Sequence, residues 1–142
     1  MNEQKQKVAV VLSGCGVFDG TEIHEAVLTL LAIEEEGATW HCFAPNIDQM
    51  HVIDHSTGEV QEGVTRNVFT ESARIARGAD KLSELAEYDP AEFDAIVFPG
   101  GFARWFWTKF DQSTALIRMY RINRVAHVRL CSPNSFTETW GS

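Results

Sequence analysis

Val8-Ala9-Val10-Val11-Leu12-Ser13-Gly14-Cys15-Gly16 is the stretch on which the fold turns. Its apolar run is continuous rather than alternating, the pattern of a central parallel strand covered on both faces. The glycines that follow permit a sharp turn that bulkier residues resist. Beyond the turn, Asp19 or Thr21 can cap a helix, and Asp19 with Glu22 has the spacing of a capping box. Ile23, Ala26, Val27, Leu30 and Leu31 recur at the helical period as one apolar stripe, and Gly37 is a natural stop. Trp40-His41-Cys42-Phe43-Ala44 then makes a second strand, ended by Pro45. A right-handed crossover makes the two strands parallel neighbours in one sheet.

Further along, Val52 to His55 with Ser56 to Val60 reads as a short strand and turn. Asn67 caps a helix through Val68, Phe69, Ala73, Ile75 and Ala76, closed by Gly78, and a short helical piece is expected around Leu82 to Leu85. Asp94 to Phe98 is a third buried strand, broken by Pro99-Gly100-Gly101-Phe102. The order predicts an α/β fold, an open and mostly parallel sheet with helices on both faces. Residues 1–102 form the first part of one domain, and residues 103–142 form an atypical tail. Six of the twelve Lys and Arg residues (Arg104, Lys109, Arg118, Arg121, Arg124, Arg129) crowd into that tail, with Asp111 the one acid among them. Trp105, Trp107 and Trp140 fall there too; a helix is suggested around Ala115 to Tyr120 and a strand from Ala126 to Leu130.

A composition of 44% apolar and 23% charged residues is that of an ordinary soluble globular chain. A net charge of -8 argues against nucleic acid or an anionic membrane as partner, since either needs a concentrated positive face. Met1 to Lys7 lead straight into a strand without a leader-like pattern, so a cytoplasmic protein is expected. The three cysteines, Cys15, Cys42 and Cys131, and the five histidines lack metal-ligand spacing, so neither a disulfide framework nor a metal is expected.

In a doubly wound sheet the reactive groups gather where loops leave the carboxyl ends of the strands. Three segments arrive there: Ser13 to Gly20, Pro45 to Gln49, and Pro99 to Phe102. Gly100 and Gly101 can bring backbone N–H groups to an oxyanion, or simply make a tight turn. Glu22 and Glu25 open the first helix, where a carboxylate either faces the crevice or favours the helix dipole, and His24 adds a further acid/base group. Cys15 lies between glycines near a helix start, a setting that can stabilise a thiolate, although a small buried hydrophobe is the commoner role. His41, His51 and His55 read as structural or exposed. Cys131 follows the strand-like His127 to Leu130, where a strand-to-helix turn would expose a nucleophile, but only a few residues remain after Ser135 to build the helix.

Val10 to Leu28 as a whole resembles the opening of the ElbB-like glyoxalase family, once linked to isoprenoid biosynthesis. That family sits in the ThiJ/PfpI branch of the class I glutamine amidotransferase-like superfamily. Cys42 to Pro45, His55 to Glu59, Thr65 to Val68 and Ile96 to Phe102 are similar to the same family in order and spacing, so the resemblance covers residues 7–102. It implies a flavodoxin-like domain, incomplete at its C-terminus in this chain, with a nucleophilic cysteine at a strand-to-helix elbow, supported by a carboxylate from the first helix. Glu25 resembles that carboxylate, with Glu22 and His24 as alternatives, and Gly100 and Gly101 resemble the oxyanion-binding turn. The implied substrates are glyoxal and similar small α-oxoaldehydes, converted with water to 2-hydroxy acids without a cofactor.

After Phe102 the pattern is lost. Cys131, the one cysteine in a suitable context, comes early and lies in Arg129-Leu130-Cys131-Ser132-Pro133 rather than in a Met-Cys-Ile-Ala-Pro-like elbow. Codons for Ser135 to Gly141, offset by one base, can spell Leu-Leu-Pro-Lys-Leu-Gly, which resembles the family just past its elbow. A truncated or frame-shifted tail follows from that reading. Three functions therefore compete: a glyoxalase-type lyase using Cys131 and Glu25, a non-catalytic family member, and a flavodoxin-like small-molecule binder. The last lacks a phosphate-cradling glycine signature. A homodimer is left open as a partner.

Overall fold

The structure is a computed structural model that describes residues 5–101. Strand β1 (Lys7–Val11) lies at its centre, paired in parallel with β2 (Thr39–Ala44) on one side and β6 (Ala95–Val97) on the other. Val10 is thus opposite Cys42 across one ladder and Val97 across the other. Beyond β2 comes β5 (Leu82–Glu84), in register Cys42 to Leu82, so the sheet order is β5-β2-β1-β6. The helical piece expected around Leu82 to Leu85 is therefore a strand, and only the turn after it, Leu85–Glu87, is 3-10. Propensity gives way here to tertiary pairing, because the exposed polar edge of β2 is satisfied by a fourth parallel strand.

Successive residues of the strands face opposite layers. Val10, Leu12, Cys42, Ala44 and Leu82 pack under helices α1 (Ile23–Glu35) and α2 (Val68–Ala76). Ala9, Val11 and Phe43 face the other way, onto Leu85, Tyr88, Phe93 and Phe98. Among the described residues both α-helices lie on the first face, and the second is covered by short 3-10 turns with their aromatics: Phe43 meets Tyr88 and Phe93 edge-on at 5.1 and 5.4 Å. Each fully buried Leu or Val of the helix layer contributes about 1.5–3 kcal/mol relative to an exposed one, which makes this layer the main source of cohesion.

The first helix starts at a different cap from the one expected. Glu22 is the N-cap, its carboxylate accepting the Glu25 N–H at 2.7 Å. Asp19 and Thr21 are drawn away to other donors, as described below. At the far end Gly37 takes φ +76°, with Gly37 N–H donating to Glu34 and Ala38 N–H to Ile33, the paired bonds of a Schellman stop. The apolar stripe divides. Ala26 and Leu30 are buried, while Ile23, Val27 and Leu31 remain 41–49% exposed. Positions 27 and 31 are turned about 100° from 26 and 30 on a 3.6-residue helix, too far to share one sheet contact.

The second helix follows the expected plan: Asn67 caps it by accepting the Thr70 N–H at 3.0 Å. It ends at Arg77, which holds the left-handed conformation next to Gly78. Between β2 and α2 the chain makes a small antiparallel hairpin, β3 (Ile53–Asp54) and β4 (Glu59–Val60), as the strand-and-turn reading anticipated.

Candidate active site

The strand order reverses direction at β1. From β1 the chain proceeds outward to β2 and β5, and then returns to place β6 on the opposite flank. Such a switch point leaves a crevice at the carboxyl ends of the two strands concerned, because the connections leaving them diverge. The loop after β1 and the Pro99-Gly100-Gly101 turn after β6 therefore meet at one place. The Glu22 N–H donates to the Gly100 carbonyl at 2.7 Å and fastens them together.

Glu25 stands one turn into α1 and reaches back over this junction. A Cβ built on Gly100 would fall onto its carboxylate, contacting Oε2 and lying 2.8 Å from Cδ and 3.1 Å from Oε1. Glycine at 100 is what leaves room for a carboxylate against the turn. Gly101 is fixed by a second, different demand: it holds φ +127°, and its missing Cβ would overlap the Gly20 carbonyl oxygen and approach Glu22 N at 2.7 Å. Thus Glu25, Gly100 and Gly101 come together. Glu22 and His24 are engaged with each other beside them, His24 Nδ1 donating to Glu22 Oε1 at 2.9 Å. That contact, with the Glu25 N–H, holds the Glu22 carboxyl below the usual range for glutamate.

The glycine loop after β1 is held from three sides. Thr21, buried, accepts the Ser13 N–H at 2.8 Å, and Ser72 of α2, also buried, accepts the Gly14 N–H at 2.9 Å. Removing the Ser72 hydroxyl would strand the buried Gly14 N–H, a cost of about 1–3 kcal/mol. On the third side Asp19 Oδ2 accepts the Ile53 N–H at 2.8 Å, and His55 Nε2 accepts the Phe18 N–H at 3.3 Å. His55 Nδ1 lies 3.0 Å from the Ile53 carbonyl, which can only accept, so the proton of the neutral ring is on Nδ1. Gly16 is hemmed in by this pair: a Cβ there would sit 2.6 Å from Asp19 Oδ1 and 2.8 Å from the His55 ring. Ser72 and the Asp19–His55 clamp were not singled out from the sequence. The signal for Ser72 was available, since it shares the Val68, Ile75 and Ala76 face of α2, where a small polar residue needs a reason to be buried.

Cys15 is not set up as a thiolate. It packs against the helix-side core, and burial together with the Glu71 carboxylate pushes its thiol up. The helix start nearby is outweighed because Glu71, itself buried and bridged to Arg74 at 2.8 Å, faces the same space. Cys42 is deeper still, pushed up to about 12 by burial. His41 bonds Ser83 at 2.9 Å on the opposite face of the sheet, and its partial burial lowers its pKa. Among the described residues no three or more His, Cys, Asp or Glu converge as a metal site, and no helix is long and apolar enough to cross a membrane. Cys131, the basic cluster from Arg104 to Arg129 and the whole of 103–142 lie outside the described residues.

Comparison with known proteins sharpens this picture. A solved structure from Ehrlichia chaffeensis, described as an isoprenoid biosynthesis protein with an amidotransferase-like domain, superposes with a TM-score of 0.65 at 45% identity, over 68% of this chain and 44% of that one. The human glutamine amidotransferase-like class 1 domain-containing protein 3, mitochondrial, is 58% identical over 96 residues, 68% of this chain and 35% of that protein. The matched part of the chain is similar to the class 1 glutamine amidotransferase-like proteins and has the parallel sheet of their fold. The rat ES1 protein homolog, mitochondrial (57% identical over 98 residues, 69% of this chain and 36% of that protein) and the zebrafish ES1 protein, mitochondrial (45% over 96 residues, 66% and 36%) agree. No protein-family model matches the chain. The chain spans about a third of the length of these curated family members.

These similarities bear out the resemblance drawn from Val10 to Leu28, and the flavodoxin-like parallel sheet with it. The relatives correct the compartment: all three curated ones are mitochondrial proteins, so the cytoplasmic expectation does not stand. That expectation lacked a physical basis, because a packed α/β domain meets the same aqueous solvent in either place.

Proposed function

We propose that this chain carries glyoxalase-type chemistry on small α-oxoaldehydes, with Glu25 moving the proton. The observation that carries the reading is the Glu25 carboxylate lying against Gly100 at the point where the strand order reverses. A carboxylate lying there, beside backbone that can donate to an oxyanion, is suited to shuttling a proton between adjacent carbons. Cys15 and Cys42 both favour the protonated thiol, which leaves Cys131 as the thiol for covalent attack.

In this reading the Cys131 sulfur adds to the aldehyde carbon, forming a hemithioacetal as the carbonyl oxygen takes a proton. Glu25 removes the hydrogen from that carbon to give an enediol and returns a proton to the neighbouring carbon, leaving a 2-hydroxy thioester. Water then breaks the thioester, releasing the 2-hydroxy acid and the thiol. One carbon is oxidised and its neighbour reduced, so no external redox partner or cofactor is called for. Gly100 and Gly101 N–H groups are assigned to the developing oxyanion.

Purified full chain assayed with glyoxal and methylglyoxal tests this. Turnover is expected, and Glu25→Gln and Cys131→Ala are each expected to lower kcat by about 10²- to 10⁴-fold. A folded parent chain with no turnover on either substrate would end the reading. The compartment proposed is that of the human, rat and zebrafish relatives: cell fractionation with an antibody to residues 5–101 is expected to find the protein in mitochondria, and a signal confined to the soluble cytosolic fraction would refute it.

A further inference from the structure

Glyoxalase-type chemistry changes the charge of what the crevice holds. A neutral α-oxoaldehyde enters, and a 2-hydroxy acid forms that gives up its proton to water at neutral pH. The charge of the walls then decides which of the two is held.

Two carboxylates stand at this crevice. The Glu22 N–H is tied to the Gly100 carbonyl at 2.7 Å, and the Glu22 carboxylate accepts the Glu25 N–H at 2.7 Å. In the proposed cycle Glu25 takes up and returns a proton, so its charge comes and goes. Glu22 keeps its charge, because the His24 hydrogen bond, together with the Glu25 N–H, holds its carboxyl below the usual range for glutamate. Its side chain is 20% exposed, against 89% for His24, so water screens the carboxylate less than the ring. Glutamate is also an unusual helix N-cap, a position that favours Ser, Thr, Asp or Asn. It supplies a charge there that a Ser or Thr cap would not.

The Lys and Arg side chains of the described residues stand elsewhere. Lys5 and Lys7 lie at the start of β1, and Lys81, 4.9 Å over the Trp40 ring, precedes β5 beside the first residues of β2. These are the amino ends of the strands, the rim opposite the crevice. Arg77 ends α2 shortly before β5 and belongs to the same rim. Arg66 and Arg74 are engaged by Glu71 at 3.8 and 2.8 Å.

Resting on the glyoxalase-type reading of this site, we infer that Glu22 is a specificity-determining residue: its standing negative charge admits neutral α-oxoaldehydes, turns away anionic ones and expels the 2-hydroxy acid product. The catalytic groups remain those already assigned. Glu22 acts on the ligand through space, at the few ångströms over which one charge alters the affinity of another by about tenfold.

The probes are lactate, the product expected from methylglyoxal, and lactamide, its neutral isostere. With isotope-labelled full chain, lactamide is expected to move the Gly100 and Gly101 amide resonances at about tenfold lower concentration than lactate. Salt at about 0.5 M is expected to bring the two within about threefold of each other. Glu22→Gln keeps an oxygen to accept the Glu25 N–H; it is expected to tighten lactate by about fivefold or more and to leave lactamide within about twofold. A thermal melt establishes that this variant is folded, and the salt series on the parent is a second measurement that needs no variant. Lactate bound as tightly as lactamide overturns the inference, and so does a preference indifferent to salt or to Glu22→Gln. Lactamide that moves neither amide overturns it as well. A chain that turns over methylglyoxal but shows no such preference keeps the glyoxalase reading and loses the role of Glu22. A chain that shows the preference without turnover loses the glyoxalase reading and keeps the charge selection by Glu22.

Discussion

Gly100→Ala is expected to remove most of the proposed glyoxalase-type turnover while leaving the thermal stability intact. The three atoms nearest the added methyl all belong to the end of the Glu25 side chain, which can swing aside by rotating about its own bonds. The fold therefore absorbs the change at little cost, and an alanine in place of glycine at an unstrained position even stabilises by about 0.4–1 kcal/mol through the unfolded chain. The carboxylate does not return to its place against the turn. A proton-transfer group displaced by an ångström or more loses much of its effect, and the loss is expected to be at least about 10²-fold in kcat/KM. Steady-state kinetics on glyoxal beside a thermal melt checks both halves. A variant as fast as the parent would show that Glu25 is not where the proton moves.

Gly101→Ala is expected to do the opposite, one residue on. Here the neighbours of the missing Cβ are the Gly20 carbonyl, the Glu22 nitrogen and the Thr21 Cα, all backbone, and the residue's own φ of +127° is one that side-chain-bearing residues rarely adopt. Conformational strain of about 1–3 kcal/mol adds to the separation of the β6 turn from the start of α1, for a total of about 2–4 kcal/mol. In a chain of this length that lowers the melting temperature by about 10 °C. An unchanged melt would mean that the turn and the helix start part without cost, contrary to the 2.7 Å bond from Glu22 to Gly100.

The contrast between these two glycines marks how far the sequence could be read. Continuous apolar strands, the helical period from Ile23 onward and the Asn67 cap are local signals, and they located β1, α1, β2, α2 and β6. The meeting of Glu25 with Gly100 was legible through the resemblance of two separate motifs to one family, since no local rule relates residues 75 positions apart. Other features depend on pairing across the fold. Leu82–Glu84 is a strand because β2 had an edge to fill. Asp19 is not a helix cap because the Ile53 N–H from the hairpin reaches it first. Cys15 is a core residue because Glu71 and the sheet close over it, which its flanking glycines could not reveal.

The position of β6 has a consequence for the order of assembly. Its tie to the central strand, Lys7 N–H to Asp94, spans 87 residues of chain. Closing so wide a loop is slow compared with winding α1 or turning the hairpin, so the flank that completes the crevice docks after its neighbours have formed. Until then the newly made chain offers one bare margin of β1, a surface that invites illegitimate strand addition and makes the nascent protein a natural client for chaperones.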